Sequence, residues 1–340
     1  MELSDNIRDL IKILMFILIA NYFIGAFFVL LFNKSQTIDD DYAIAMQKLY
    51  LLNSDNKEKI IFFGSSMSRE GLNLHYFKEE FQDYRVYNFS ISSGKPSDFY
   101  FIYNKIKDKK KVKFIIITTS PWIFQKKYTE DINSGNDPFT TLIFDPIVVA
   151  NVVNLRDVNF SWYIKESIFS MIPFYQYNDY LKKIIDHRNM SLWKTKEERM
   201  QPQPITIYRY SENKPESYFL EELGKEKNYH EYSSINYCWD NTKNIQIKSL
   251  NLLLSKINHN LTSVAIIDMP VNPNKLAFYD EELSSNYLEI MNNLSQTAKF
   301  FDLSAQYSAD NFIDFNHLNE KGRNSFSYDL RNLIKDNYGF

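Results

Sequence analysis

Five short segments with strand character recur along this chain, and they constrain its fold more than any other feature. They are Ile60–Phe63, Arg85–Phe89, Lys113–Thr118, Ser263–Met269 and Lys299–Leu303. Three of them, IIFF, KFIIIT and SVAIIDM, are continuous or nearly continuous apolar runs. A strand with one wet face alternates polar and apolar residues, so an unbroken run marks a strand covered on both faces. Helical periodicity fills the gaps, at Tyr42–Leu52, Ser97–Lys107, Ile245–Ile257, Glu281–Thr297 and Glu320–Lys335. Strands alternating with helices predict an α/β fold with about five parallel strands and helices on both faces. In such a sheet the working site lies beyond the C-terminal ends of the strands.

Residues 13–32 are of another kind. The run ILMFILIANYFIGAFFVLLF has no charged residue. At about 1.5 Å per residue it matches a hydrocarbon core about 30 Å thick. The run is too long for a typical signal-peptide core, and no small-x-small cleavage site precedes Asn33-Lys34. A buried core helix would carry a polar face, and this run offers only Asn21 and Tyr22. The expectation is a cytoplasmic tail over residues 1–12, a transmembrane helix over 13–32 and a juxtamembrane segment over 33–57. Arg8 and Lys12 precede the run and Lys34 follows it. That bias puts the N-terminus in the cytoplasm and the main domain, residues 58–340, outside the cytoplasmic membrane.

The strand–helix alternation is interrupted at about 122–244. This stretch is rich in aromatics, among them Trp122, Phe160, Trp162, Tyr163 and Trp193, and aromatics make up 16% of the whole chain. Helical patterns lie near Pro146–Val153, Phe160–Met171 and Tyr177–His187, and Gln201–Asn228 reads as irregular. It is expected to be a helical insertion capping the site. An aromatic cap suits sugars or lipid chains, and equally a small core of its own.

Two stretches carry chemistry. Gly64-Ser65-Ser66 ends the first strand, and Asp314-Phe315-Asn316-His317 follows the fifth. A serine hydroxyl becomes a useful nucleophile when an imidazole takes its proton and a carboxylate fixes that imidazole. Here Ser66, His317 and Asp314 offer one candidate for each role. Taken alone, Ser66 reads as a helix cap. The helix after Ser66 would direct its amide-rich N-terminus at a developing oxyanion.

These residues resemble the SGNH (GDSL-type) hydrolase superfamily over about residues 58–120 and 262–335. The resemblance implies a flavodoxin-like three-layer α/β/α fold, with Ser66 as nucleophile, His317 as general base and Asp314 as its orienting partner. The superfamily's second motif, Asn-x-Gly-x-Ser-Gly, is matched by Asn88-Phe89-Ser90-Ile91-Ser92-Ser93-Gly94. Its oxyanion amide falls on Ser93 or Gly94. The third motif, Gly-x-Asn-Asp, is replaced by Thr118-Thr119-Ser120-Pro121-Trp122. Losing one oxyanion donor typically costs about 2.7–4 kcal/mol of transition-state stabilisation.

That Ser-Pro, together with Met269-Pro270-Val271-Asn272, resembles the membrane-anchored branch related to DltD, the D-alanyl transfer protein of teichoic-acid alanylation. The resemblance implies acyl transfer or ester hydrolysis on O-acyl groups of cell-envelope glycans. A membrane acyl-donor protein is the implied partner, and no metal or organic cofactor is needed. Two other readings stand beside it, a catalytically degenerate scaffold or glycan-binding protein and a lipid-directed esterase. Arg69 would bind an anionic substrate group or pair on a helix surface. Asn272 would touch substrate or serve a turn. Asp268 stands near a strand's C-terminal end, where the cleft would lie.

Composition excludes other classes. The formal net charge is −3, which implies no basic face for nucleic acid. Cys238 is the one cysteine, so there is no intrachain disulfide and no zinc site built on several cysteines. The five histidines show neither HxH nor HxxxH spacing, so no metal site is indicated.

Overall fold

The structure, a computed structural model, describes residues 41–126, 233–240 and 242–339, with scattered residues between 9 and 23. Two compact units divide the chain, Met1–Gln47 with Ile132–Gln203, and Lys48–Asp131 with Pro204–Phe340. The second unit carries nearly all the described residues.

Its centre is one five-stranded, all-parallel sheet: β1 (Lys59–Phe63), β2 (Arg85–Asn88), β3 (Val112–Thr119), β4 (Ser263–Asp268) and β5 (Lys299–Asp302). The spatial order is β2-β1-β3-β4-β5. The expected α/β class, with five parallel strands and surrounding helices, is therefore observed. Expected strand ends agree to within one residue. The helices are α1 (Asp41–Ser54), α2 (Ser66–Gly71), α3 (Leu74–Glu80), α4 (Pro96–Asn104), α5 (Ile245–Lys256), α6 (Pro273–Leu276), α7 (Glu281–Leu294) and α8 (Glu320–Tyr338). Three differ visibly from their sequence periodicity. The helix expected over Ser97–Lys107 ends at Asn104, whose side-chain Nδ2 donates back to the Tyr100 carbonyl. The helix expected to reach Thr297 ends at Leu294, where Ser295 donates its amide to Met291 and Asn292. The last helix outruns Lys335 to Tyr338 and stops at Gly339, whose φ of 68° closes it. The short α3 and α6 are additions.

Alternate residues of the strands build two cores. On one face Ile60, Phe62, Phe114, Ile116, Ala265 and Ile267 pack with Met67 and Leu72 of the α2 region, Phe77 of α3, and Phe326, Leu330 and Ile334 of α8. On the other, Phe63 stacks on Phe99 of α4, and Tyr287 of α7 meets Phe300 of β5 edge-on. The strand order reverses between β1 and β3, with β2 outside β1 on one side and β4 and β5 outside β3 on the other. A crevice opens at such a point, beyond the C-terminal ends of the strands.

The base of the aromatic insertion is described and its body, residues 127–232, lies outside the described residues. The chain leaves through Phe124–Gln125 and returns through Tyr237–Cys238. Gln125 and Tyr237 form an antiparallel bridge, and the Cys238 amide donates to the Phe124 carbonyl at 3.0 Å. Tyr237 stacks on Trp239 with ring centroids 5.3 Å apart.

Most of the apolar run 13–32 also lies outside the described residues. Among the described residues no helix is long and apolar enough to cross a membrane. Ile11, Ile13, Met15, Phe16, Ile19 and Phe23 are helical, with side chains 46–72% exposed. At 3.6 residues per turn they spread around roughly 200° of the helix.

Candidate functional site

The site begins with tight packing beneath Ser66. β1 is buried along its whole length and runs straight into Gly64. A β-carbon on Gly64 would come within 2.0 Å of Thr118 Oγ1 and 2.6 Å of the Ser68 Cβ. Only glycine lets the chain turn there against β3. Ser65 is then the N-cap of α2, its hydroxyl accepting from the Met67 amide at 3.3 Å. The capping role therefore belongs to Ser65, and the Ser66 hydroxyl is left for another partner.

That partner is His317. Its Nε2 lies 3.0 Å from Ser66 Oγ, and its Nδ1 lies 2.8 Å from Asp314 Oδ2. The other Asp314 oxygen accepts from the amides of Asn316 and His317, both at 2.7 Å. One carboxylate thus folds its own loop and orients the ring. An ionised carboxylate only accepts, so Nδ1 carries the proton and Nε2 accepts from the serine. The loop is braced from outside: Lys275 of α6 donates to Asn316 Oδ1 at 2.5 Å, and the Asn272 amide donates to the Phe315 carbonyl at 3.3 Å.

Electrostatics follow the geometry. Burial works to raise the Asp314 carboxyl, but its bond and charge contact with His317 and the two loop amides hold it below the usual carboxylate value. Burial works to lower His317, but Asp314 and then Glu70 hold it above the usual imidazole value, against the opposing charge of Arg69.

The loop after β2 abuts the Ser66 turn. The Ile91 amide donates to the Gly64 carbonyl at 3.1 Å, and Ser90 Oγ meets Ser68 Oγ at 3.0 Å. Gly94 lies so close that a β-carbon there would come within 2.4 Å of the Gly64 carbonyl oxygen. Its amide is committed to the Ile91 carbonyl at 3.0 Å, which closes a tight turn. Of the two amides expected as oxyanion donors, that of Gly94 is thus engaged within the loop. Ser93 has a φ of 53°, a left-handed conformation that favours glycine.

The hydroxyls after β3 are turned to structural contacts. Thr118 Oγ1 donates to the Phe63 carbonyl at 3.2 Å, and Ser120 Oγ faces the Met67 sulfur at 3.9 Å. Thr119 lies on the opposite sheet face. There Thr119 Oγ1, Asp268 Oδ1 and Tyr287 Oη are sealed from water without a hydrogen-bond partner. They sit close enough to influence one another's charge, outside hydrogen-bond geometry. Burial, then the charge of Asp302, pushes the Asp268 carboxyl well above its ordinary value.

One expectation changes, and one choice between two roles is narrowed. Asp268 is 3% exposed under α7 and does not line the crevice. Asn272 is fully buried, and its Oδ1 caps α6 by accepting from the Asn274 amide, which is the turn role of its two expected ones. Arg69 stands half-buried at the site and pairs with Glu70 at 2.5 Å. Glu70 itself was missed in the sequence, although it stands four residues after Ser66 on one helix, a spacing that shares a face. Among the described residues no group of three His, Cys, Asp or Glu side chains is placed to hold a metal ion. The chain matches no protein-family model and no curated protein.

Proposed function

We propose that this protein is a membrane-anchored, SGNH-like serine esterase or acyltransferase acting on O-acyl groups of cell-envelope glycans. The observation that carries the reading is the Ser66–His317–Asp314 relay, with links of 3.0 and 2.8 Å, assembled from opposite ends of the chain. Ser66 Oγ attacks the acyl carbonyl carbon as its proton passes to His317 Nε2. Among the described residues the Ser66 and Ser93 amides donate to no other group, and they serve as donors to the oxyanion. As the intermediate collapses, the departing alcohol takes the proton back from Nε2 and leaves an acyl-Ser66. Water or an acceptor hydroxyl then gives its proton to His317 Nε2 and attacks the ester, and Ser66 Oγ leaves as it takes that proton back, so the same residues run hydrolysis or transfer. The 2-1-3-4-5 strand order, with serine after β1 and Asp-x-x-His after β5, supports the SGNH-like assignment. Exposed apolar side chains between Ile11 and Phe23 support a helix facing lipid.

A fluorophosphonate probe tests this directly. Wild-type protein in detergent should be labelled, and a Ser66→Ala variant with the same melting temperature should not. Folded wild-type protein that takes no label between about pH 6 and 9, where an imidazole base is available, would refute the enzyme reading. Release of p-nitrophenol from acetyl esters in preference to long-chain esters would separate a glycan O-acyl enzyme from a lipid esterase. The alternative, a fold that has lost turnover, rests on the missing asparagine of the third motif and on Ser93 at the glycine position of the second.

A further inference from the structure

The acyl-transfer scheme leaves out one acidic side chain that touches it. Glu70 is buried at 8% side-chain exposure in the last turn of α2, one helical turn beyond Ser66. Its Oε2 stands 3.7 Å from His317 Nε2, the same nitrogen that faces Ser66. Its Oε1 is held at 2.5 Å by the Arg69 guanidinium. The imidazole therefore has a carboxylate at each nitrogen, Asp314 at Nδ1 and Glu70 at Nε2.

The two contacts differ in kind. Asp314 accepts a hydrogen bond from Nδ1–H throughout the cycle. Glu70 faces a lone pair while His317 is neutral, and an N–H once the ring is protonated. Its charge repels the first state and attracts the second, so it favours the state formed as Ser66 loses its proton. We infer that Glu70 is a positioning residue for the base: it stabilises protonated His317 at Nε2, and Arg69 tempers that effect by sharing its charge. This inference deepens the acyl-transfer reading and rests on it for its catalytic meaning.

Other charges around the ring do not duplicate the role. Asp314 is engaged at Nδ1. Lys275 of α6 reaches the neighbouring Asn316. Arg323 of α8 donates to the Leu72 carbonyl. Arg69 and Glu70 are the pair that α2 directs to this side.

The test uses the full chain in detergent with its histidine rings isotopically labelled. His317 is assigned by its loss in His317→Gln, and its titration is followed by NMR. Glu70→Gln keeps shape and removes charge. It should lower the His317 midpoint by on the order of half to one pH unit, the size of a screened contact at this distance. Arg69→Gln should move the midpoint the other way, and this half-buried site serves should Glu70→Gln fail to fold. In fluorophosphonate labelling, Glu70→Gln should shift the acid limb to lower pH and reduce the alkaline plateau roughly two- to threefold, as a weaker base must. A midpoint unmoved in Glu70→Gln, or moved in the same direction by both variants, overturns the inference. A wild-type protein that never labels, with a His317 midpoint that still answers to Glu70, refutes the acyl-transfer reading and supports the pairing.

Discussion

The Thr118 hydroxyl occupies the space that a side chain on Gly64 would need: a β-carbon there would meet Oγ1 at 2.0 Å. Thr118 cannot yield easily, because that hydroxyl is bonded to the Phe63 carbonyl. Gly64→Ala should therefore cost about 1–3 kcal/mol by overpacking, seen as a lower urea midpoint, and should slow Ser66 labelling. Adding Thr118→Ala should restore part of the stability. Only part returns, because the Ser68 Cβ would still lie 2.6 Å from the new methyl. Full recovery in the double variant would show that Ser68 moves freely.

Ser93 carries left-handed backbone strain with φ at 53°. A non-glycine residue there costs roughly 1–2 kcal/mol, and glycine gives back part of that through a freer unfolded chain. Ser93→Gly should stabilise the fold by a net of about 0.5–1 kcal/mol in urea unfolding. Labelling should persist, because the group proposed to act is a backbone amide. A destabilised Ser93→Gly would show that the Ser93 side chain matters more than its conformation.

The Asp314–His317 pair links stability to pH with two opposite signs. Asp314 is held below 3.8 in the fold, so its contribution is present above that value and fades as acid protonates the folded carboxylate. His317 is held above 6.5, so its contribution is complete below 6.5 and fades as pH rises through the folded value. The pair should stabilise most between about pH 4 and 6.5. Labelling needs neutral His317 and should instead rise with pH through a midpoint above 6.5. Asp314→Asn should lower the labelling rate by about 10³–10⁴-fold. It should also flatten the thermal-stability profile between pH 5 and 8. A flat profile in the wild type would contradict the pairing.

Asp268 works against the fold at neutral pH. Its folded carboxyl holds a proton that the unfolded chain releases near 3.8, so stability falls as pH rises above that value. Asp268→Asn removes the titration and keeps the shape. The variant should melt higher than wild type at pH 8, with a smaller difference at pH 5. An equal difference at both pH values would mean that Asp268 is ionised in the fold.

The sheet was legible because burial on both faces writes an unbroken apolar run, and β1, β3 and β4 each have one. α3 and α6 were not, since seven and four residues are too few for a helical period to repeat. Ser66, Asp314 and His317 could be found because each comes in a motif of a few residues. Glu70 lacked a motif and showed only its spacing from Ser66. The choice between the Ser93 and Gly94 amides depended on a single hydrogen bond, Gly94 to Ile91, which no residue pattern encodes. Asp268 misled because a strand's C-terminal end fixes height above the sheet, while the pleat decides which face a side chain joins.

The bridge between Gln125 and Tyr237 has a consequence for how β3 and β4 are joined. The chain departs and returns through a single gate, so the ends of the intervening segment are already together. Doubling a closed loop's length costs only about 0.6 kcal/mol in chain entropy. A change in the length of chain between the gateposts therefore adds little closure entropy to the positioning of β3 and β4. The join between β3 and β4 is thus fixed locally, by one bridge and one hydrogen bond, at the level of the sheet.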